Sequence, residues 1–278
     1  HLTGSARGIP SQVEKLVRKG PVAREDAFVS LYGSLVGDGE WCEATVPAVA
    51  LLTESLLEAR DPDLVLMLLA DAIGADHVRA WLEPSGETAS PEVAEARTII
   101  EAVLQEVLVF TKPKRGKKKS KAVTRAAATV VLSVLPSVSQ ETIPILRNLA
   151  VVDESPVVRA SALLALGSLG EGDEAITTFL AEQRATSGLV AGAAAVSLFR
   201  QHKKTQLGDL EPSLEKWLSW PAPKYWEDEM LPWFGGHHTW KVPPMGQALL
   251  ALARHRKVED ELVELLITVG NDSTSGPL

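Results

Sequence analysis

Apolar residues recur every three to four positions along most of the chain, which is the spacing of one face of an α-helix. Ala162, Ala165, Leu166 and Leu169, for example, share one such face. Strand-like alternation is almost absent, and no stretch resembles a β-α-β unit. The pattern therefore predicts an all-α fold. The predicted helices lie near residues 10–19, 22–36, 44–59, 62–73, 91–110, 121–135, 139–150, 156–168, 173–184, 187–201, 210–219, 243–255 and 257–269.

Short local motifs mark where several of these helices begin and end. Asp61-Pro62, Ser90-Pro91 and Ser155-Pro156 each place a capping side chain before a proline at the first helical position. Gly167 and Gly170 predict the end of the helix that starts at Pro156.

The apolar pattern also repeats along the chain. Residues 123–136 align without gaps on residues 157–170, an offset of 34 residues, and weaker copies lie at 24–31 and 190–199. Each copy follows another amphipathic segment, so the repeating unit is a helix, a short turn and a second helix. Alanines near the middle of the second helix allow close approach of its neighbours, and leucines fill the grooves between them.

The segment 153–167 (DESPVVRASALLALG) resembles the HEAT repeat, in the bacterial form first noted in phycobilisome lyases. The shared features are an aspartate ahead of the helix, an arginine early in it, and alanines and leucines that end at a glycine. The similarity is good over residues 121–200, fair over 9–75 and poor over 205–242. This resemblance implies a right-handed α-solenoid of stacked antiparallel helical hairpins, a HEAT-like superhelix whose curved surface usually binds a partner.

The whole chain, residues 1–278, is then expected to form a single HEAT-like repeat domain. Two stretches interrupt the repeats, a basic loop at 111–120 and an irregular insertion rich in tryptophan and proline at 220–242. Residues 1–8 are expected to be a flexible start, and residues 271–278 a flexible tail.

The chain has a net charge of -8, but the charge is unevenly distributed. The segment 112–121 carries seven lysines or arginines and no acid, which leaves 21 basic and 36 acidic residues elsewhere, a net charge of -15. The acidic remainder would repel nucleic acid over most of its surface. The basic segment is either an electrostatic arm for phosphate or an acidic partner, or a solvated loop with no fixed partner, which is the preferred interpretation. Its basic residues are Lys112, Lys114, Arg115, Lys117, Lys118, Lys119 and Lys121.

Aromatic residues are concentrated near the C-terminal end, where five of the seven tryptophans fall between positions 217 and 240. Tryptophan and tyrosine dominate binding hot spots, but they also fill gaps where a repeat is distorted. Trp217 and Trp220 are assigned to the core, whereas the later tryptophans fit both roles equally. The candidate partner-binding residues are Tyr225, Trp226, Trp233, Phe234 and Trp240.

The sequence contains no recognisable catalytic motif, cofactor motif or metal-ligand spacing. His237 and His238 are adjacent and do not share a helical face, so no metal site is predicted. The single cysteine, Cys42, is expected to be a buried thiol and fits a reducing compartment. No apolar run reaches the roughly 18 residues of a membrane span. We therefore expect a soluble cytoplasmic protein that has no membrane contact and needs no cofactor. Similarity of residues 31–35 and 41–49 to the start of bacterial HEAT-repeat proteins implies a bacterial source.

These observations favour a non-enzymatic scaffold that binds another protein, as an adaptor, an assembly factor or an immunity-type inhibitor of a basic toxin. Nucleic acid is an expected partner only through the segment 112–121. The alternative is a HEAT-like DNA glycosylase or another nucleic-acid-acting protein. Such glycosylases use an aspartate and aromatic residues in a basic groove. Asp228 and nearby aromatic residues are available for that role, but basic charge is confined to one segment. A bilin lyase is a weaker rival.

Overall fold

The computed structural model describes residues 8–35, 44–74, 91–112, 121–170, 172–186 and 188–201. These residues form eleven α-helices and two 3-10 turns, at Leu56–Glu58 and Pro136–Val138, and contain no strand. The predicted all-α fold is confirmed over this part of the chain. The helices are α1 (Ile9–Arg18), α2 (Pro21–Leu35), α3 (Thr45–Ser55), α4 (Pro62–Gly74), α5 (Pro91–Ala102), α6 (Leu104–Thr111), α7 (Ala122–Ser133), α8 (Ser139–Val152), α9 (Pro156–Leu169), α10 (Glu174–Arg184) and α11 (Gly188–Gln201).

The predicted helix over 91–110 is divided at Val103, where the backbone N–H donates to the carbonyl of Ile100 at 3.1 Å. This three-residue spacing tightens the turn and separates α5 from α6. The predicted helices at 210–219, 243–255 and 257–269 lie outside the described residues.

Proline occupies the first position of α4, α5 and α9, as Pro62, Pro91 and Pro156, which confirms the predicted starts. The predicted cap at Ser155 is wrong, because its hydroxyl caps nothing and is buried without a hydrogen-bond partner. Instead, the carboxylate of Asp153 accepts from the backbone N–H of Ser155 at 2.9 Å. Gly170 caps α9 as predicted, whereas Gly167 lies inside the helix rather than at its end.

The described contacts divide the chain into two compact units, residues 1–138 and 139–278. In the first unit, α1 packs against α2, α3 against α4, and α6 against α7. Helix α3 also contacts α1 and α5. Helix α4 also contacts α2, α5 and α7, so the unit is held together by packing between helices.

In the second unit, α9 packs against both α8 and α11, and α10 packs against α11. The hydroxyl of Ser197 in α11 donates to the carbonyl of Leu163 in α9 at 2.9 Å. Gln201, the last residue of α11, donates to the carbonyl of Gly170 at 3.1 Å and accepts from the hydroxyl of Thr177 in α10 at 3.0 Å. The side chain of Gln201 therefore joins the C-terminal ends of α9 and α11 to α10, and its bond to Gly170 adds to the one that the same carbonyl accepts from the backbone N–H of Asp173.

Four helices, α4, α7, α9 and α11, supply most of the core of the described residues. Continuous stretches of these helices are buried on every side, namely residues 65–73 of α4, 124–133 of α7, 190–198 of α11 and nearly all of α9. Helices that are apolar all round are found where neighbours cover them completely. In contrast, α1, α8 and α10 bury one face and expose a polar one.

An arginine near the start of α2, and another near the start of α9, each tie their helix to the one before it in the chain. Arg24 of α2 donates to the carbonyl of Lys19, the C-cap of α1, at 2.6 Å. Arg159 of α9 donates to the carbonyl of Ala150, in the last turn of α8, at 3.0 Å. Both guanidinium groups lie at the negative end of the preceding helix, where a cation is favoured.

Candidate functional site

Few of the predicted site residues fall in the part of the chain that the structure describes. Of the basic segment, Lys112 and Lys121 are described, whereas Lys114, Arg115, Lys117, Lys118 and Lys119 lie outside. All five aromatic candidates also lie outside, namely Tyr225, Trp226, Trp233, Phe234 and Trp240. Their roles stay predictions. The site described below is built from other residues of the first unit.

Lys121 is held by an ion pair. Its ammonium donates to one carboxylate oxygen of Asp61 at 3.0 Å, and the guanidinium of Arg24 donates to the other oxygen. Asp61 therefore bridges two cations, and Arg24 in turn reaches the end of α1. Sequence reasoning missed this contact, because Lys121 and Asp61 are 60 positions apart and nothing in their spacing pairs them.

A second contact lies beside the first, where the hydroxyl of Thr124 donates to the carboxylate of Asp63 at 3.2 Å. We call the group of side chains at these helix N-termini the N-terminal cluster; it consists of Arg24, Asp61, Asp63, Lys121 and Thr124. They stand at the starts of α2, α4 and α7, so these three helices begin at one edge of the first unit. The two carboxylates lie where the helix dipoles favour negative charge.

The environments of these carboxylates shift their pKa values in opposite directions. Burial alone would raise the pKa of Asp61, but hydrogen bonds from Lys121 and Arg24 outweigh burial and hold it below its usual value. The pKa of Asp63 is raised, chiefly by burial, which its hydrogen bonds and Lys121 only partly offset. The hydrogen bond to Asp61 raises the pKa of Lys121. The ion pair is therefore fully charged at neutral pH, and it joins helices rather than presenting a reactive group.

Helix α2 exposes an apolar surface beside this cluster. Val22 is 74% exposed, Val29 is 60% exposed and Tyr32 is 37% exposed. Glu25 and Asp26 are exposed between them. These five residues form the outer face of α2. The opposite face is buried, as expected for a helix packed on one side.

The aromatic part of the outer face is anchored to the core. The ring of Tyr32 stacks on the ring of Phe28, with the centroids 6.1 Å apart and an angle of 23° between the planes. Phe28 itself is buried. Tyr32 therefore offers an ordered aromatic surface, whose immobilisation on binding costs little side-chain entropy. The signal for this face was present in the sequence, because Val22 and Val29 are seven positions apart on one side of the helix.

The other large hydrophobic side chains that are exposed among the described residues are Leu57, Val109, Val151 and Val152. Val151 and Val152 are adjacent at the end of α8, and the other two stand alone. Isolated exposed valines are common on protein surfaces. Arg147 of α8 lies over the ring of Phe179 in α10, 4.9 Å from its centroid, which joins the two helices.

Metal and membrane sites were sought within the same residues. No group of three histidine, cysteine, aspartate or glutamate side chains there could hold a metal ion. In the part searched, no single helix has both the length and the apolar composition to cross a membrane. One bent pair, Ala122–Ser133 with Pro136–Val152, meets both limits when taken together.

Comparisons of the chain with protein-family models, with curated proteins and with solved structures found no match.

Proposed function

We propose that this chain is a non-enzymatic scaffold that binds another protein and is built as a right-handed HEAT-like α-solenoid of stacked antiparallel helical hairpins. The adaptor, assembly-factor and inhibitor roles all fall within this proposal. Repeat proteins of this architecture generally use their extended surfaces for binding.

The observation that carries the proposal is the recurrence of one packing unit along the described helices. Ser197 and Leu163, which hydrogen-bond between α11 and α9, are 34 residues apart, the same as the offset of the sequence repeat. Arg24 and Arg159 make the same kind of contact to the end of the preceding helix. Such recurrence is what a stack of equivalent hairpins requires.

The charged side chains of the N-terminal cluster support a structural role, because they pair with one another between helices. Arg24, Asp61 and Lys121 satisfy one another across three helices, and Thr124 satisfies Asp63. These groups stabilise the arrangement of helices. With 36 acidic residues against 28 basic ones in the whole chain, the protein favours a partner with a basic surface.

The nucleic-acid-acting alternative receives no specific support from the described residues. Asp228 and the aromatic residues that it would need lie outside them. The alternative therefore stays a prediction, and a direct assay decides it.

The test is an affinity capture with the full chain as bait, from a lysate of the source organism, with and without nuclease. Captured proteins are identified by mass spectrometry, and the principal one is purified and titrated against the chain by calorimetry. In parallel, the chain is incubated with alkylated DNA and the release of free base is measured.

The proposal expects one protein to persist after nuclease treatment and to bind the purified chain at a fixed stoichiometry. No base should be released from the DNA. Recovery of nucleic acid alone, with binding that falls steeply as salt rises, would overturn the proposal. Release of alkylated bases would establish the enzyme instead.

A further inference from the structure

Helix α2 exposes a position that an equivalent helix buries. When α2 is aligned with α9 on the repeat arginine, Arg24 corresponds to Arg159 and Val29 corresponds to Leu164. Leu164 is 0% exposed, whereas Val29 is 60% exposed. The same alignment with α7 places Val29 opposite Val130, which is also 0% exposed.

The second apolar position of this face shows the same contrast. Val22 corresponds to Val157 of α9, which is 2% exposed, whereas Val22 itself is 74% exposed. The outer face of α2 thus keeps apolar side chains at positions that α9 covers within the protein. Exposed apolar surface of this kind often marks a binding site, because a partner that covers it removes apolar side chains from water.

The polar residues of this face indicate what kind of surface covers it. Glu25 and Asp26 correspond to Ala160 and Ser161 of α9, both of which are 0% exposed. A further helix of the repeat type, rich in alanine and leucine, would remove the Asp26 carboxylate from water without giving it a basic partner. That desolvation is costly. A partner with lysine or arginine beside its apolar residues avoids the cost.

The spacing of the residues matches a helical partner. Val22, Asp26 and Val29 stand at i, i+4 and i+7, so they form one continuous stripe about two turns long. Glu25 and Tyr32 flank it on the next row. Arg24, the only basic residue of α2, is buried and paired with Asp61, so the exposed charges of this helix are all negative.

We propose that the outer face of α2 binds a basic amphipathic helix of a partner protein, with apolar residues against Val22, Val29 and Tyr32 and a basic residue against Asp26. This inference rests on the proposed protein-binding function and specifies its surface and its class of partner. A partner helix that packs on such a face takes its anchors from apolar residues one and two turns apart.

The probe is a pair of fluorescein-labelled synthetic peptides of about 20 residues. Both carry leucines at i, i+3, i+4 and i+7 spacing, and one has lysines where the other has glutamates. Fluorescence anisotropy measures the binding of each peptide to the full chain at low and physiological salt. We expect the lysine peptide to bind at least about tenfold more tightly than the glutamate peptide, a difference of about 1.4 kcal/mol. Amide exchange should slow over Pro21–Leu35 when the lysine peptide is bound.

Two matched pairs of variants locate the contact. Val29→Gln should weaken binding of the lysine peptide by about tenfold, whereas Val151→Gln, at a valine of similar exposure on α8, should leave it unchanged. Asp26→Lys should abolish the preference for the lysine peptide, whereas Glu182→Lys on α10, with the same change in net charge, should keep it. Circular dichroism and thermal melting confirm that each variant is folded.

The outcomes separate this inference from the proposed function. If Val29→Gln and Val151→Gln weaken binding equally, or if Asp26→Lys and Glu182→Lys are equivalent, the attraction is non-specific and the inference is wrong. The captured partner of the full chain is then tested with the same variants. A partner whose affinity is unaffected by Val29→Gln refutes the α2 surface and leaves the proposed function intact, whereas failure to capture any protein refutes the function itself.

Discussion

A close approach between helices α9 and α11, at Gly167 and Ser197, allows a quantitative test of the packing. A Cβ atom added at Gly167 would lie 2.6 Å from the Cβ of Ser197, 2.7 Å from its Oγ and 3.0 Å from its Cα. Non-bonded carbon atoms normally approach to about 3.5–4.0 Å. The Gly167→Ala change therefore requires the two helices to separate by about 1 Å, because the nearest atoms include backbone.

The expected cost follows from three terms. Overpacking of a well-packed interface costs about 1–3 kcal/mol. The hydrogen bond from Ser197 to Leu163, 2.9 Å long, contributes about 1 kcal/mol and would be stretched or lost. Alanine offsets about 1 kcal/mol of this, because it is a better helix former than glycine. We expect Gly167→Ala to lower the free energy of unfolding by about 1–3 kcal/mol.

The assay is urea unfolding followed by circular dichroism at 222 nm, with Gly33→Ala as the control. Gly33 lies in α2, is exposed and has nothing within 4 Å of its added Cβ, so the control should be neutral or more stable by up to about 1 kcal/mol. Ser197→Gly should cost less in the Gly167→Ala background than alone, because it removes the close Cβ and Oγ atoms. Equal stability of the two alanine variants would refute the close approach.

Further tests concern buried polar groups. Ser161→Ala should raise the free energy of unfolding by up to about 1 kcal/mol, because its buried hydroxyl has no hydrogen-bond partner; a lower urea midpoint would contradict this. Asp63→Asn should stabilise the protein at pH 7, because the raised pKa of Asp63 means that the folded state favours an uncharged group there. The stability that the protonated Asp63 carboxyl contributes in the wild-type protein is fully present below its unfolded-state pKa and is lost as pH rises through its folded-state pKa, so the advantage of the Asn variant should shrink in acid. Asp61→Asn should destabilise the protein, because pairing with Arg24 and Lys121 lowers the pKa of Asp61. That contribution is present above the usual aspartate pKa of 3.8 and is lost as pH falls through the lowered pKa of the folded protein, so the stabilities of the two proteins, measured by unfolding between pH 7 and pH 2, should converge in acid. A constant difference would count against the ion pair.

The existence and the approximate bounds of the described helices could be predicted from the sequence alone. Helical periodicity is a local property, and the prolines at Pro62, Pro91 and Pro156 restrict the chain at one position each. Local rules succeed here because each depends on neighbours within about one helical turn.

Other features depended on which segments the fold brings together. Gly167 was predicted to end its helix, yet it lies within α9, because its lack of a side chain is needed by Ser197 of another helix. The basic segment looked uniform, yet Lys121 is paired with Asp61, which comes 60 positions earlier. Such partners are set by tertiary packing and have no fixed spacing along the chain.

The outer face of α2 shows this division most clearly. The sequence alone determined that Val22 and Val29 lie on one side of a helix that carries a copy of the sequence repeat. Only the tertiary structure decided that this side is open in α2, whereas the equivalent positions Val157 and Leu164 are covered in α9. The physical reason is that the periodicity of a helix fixes which residues share a face, whereas burial of that face depends on the neighbours that pack against it.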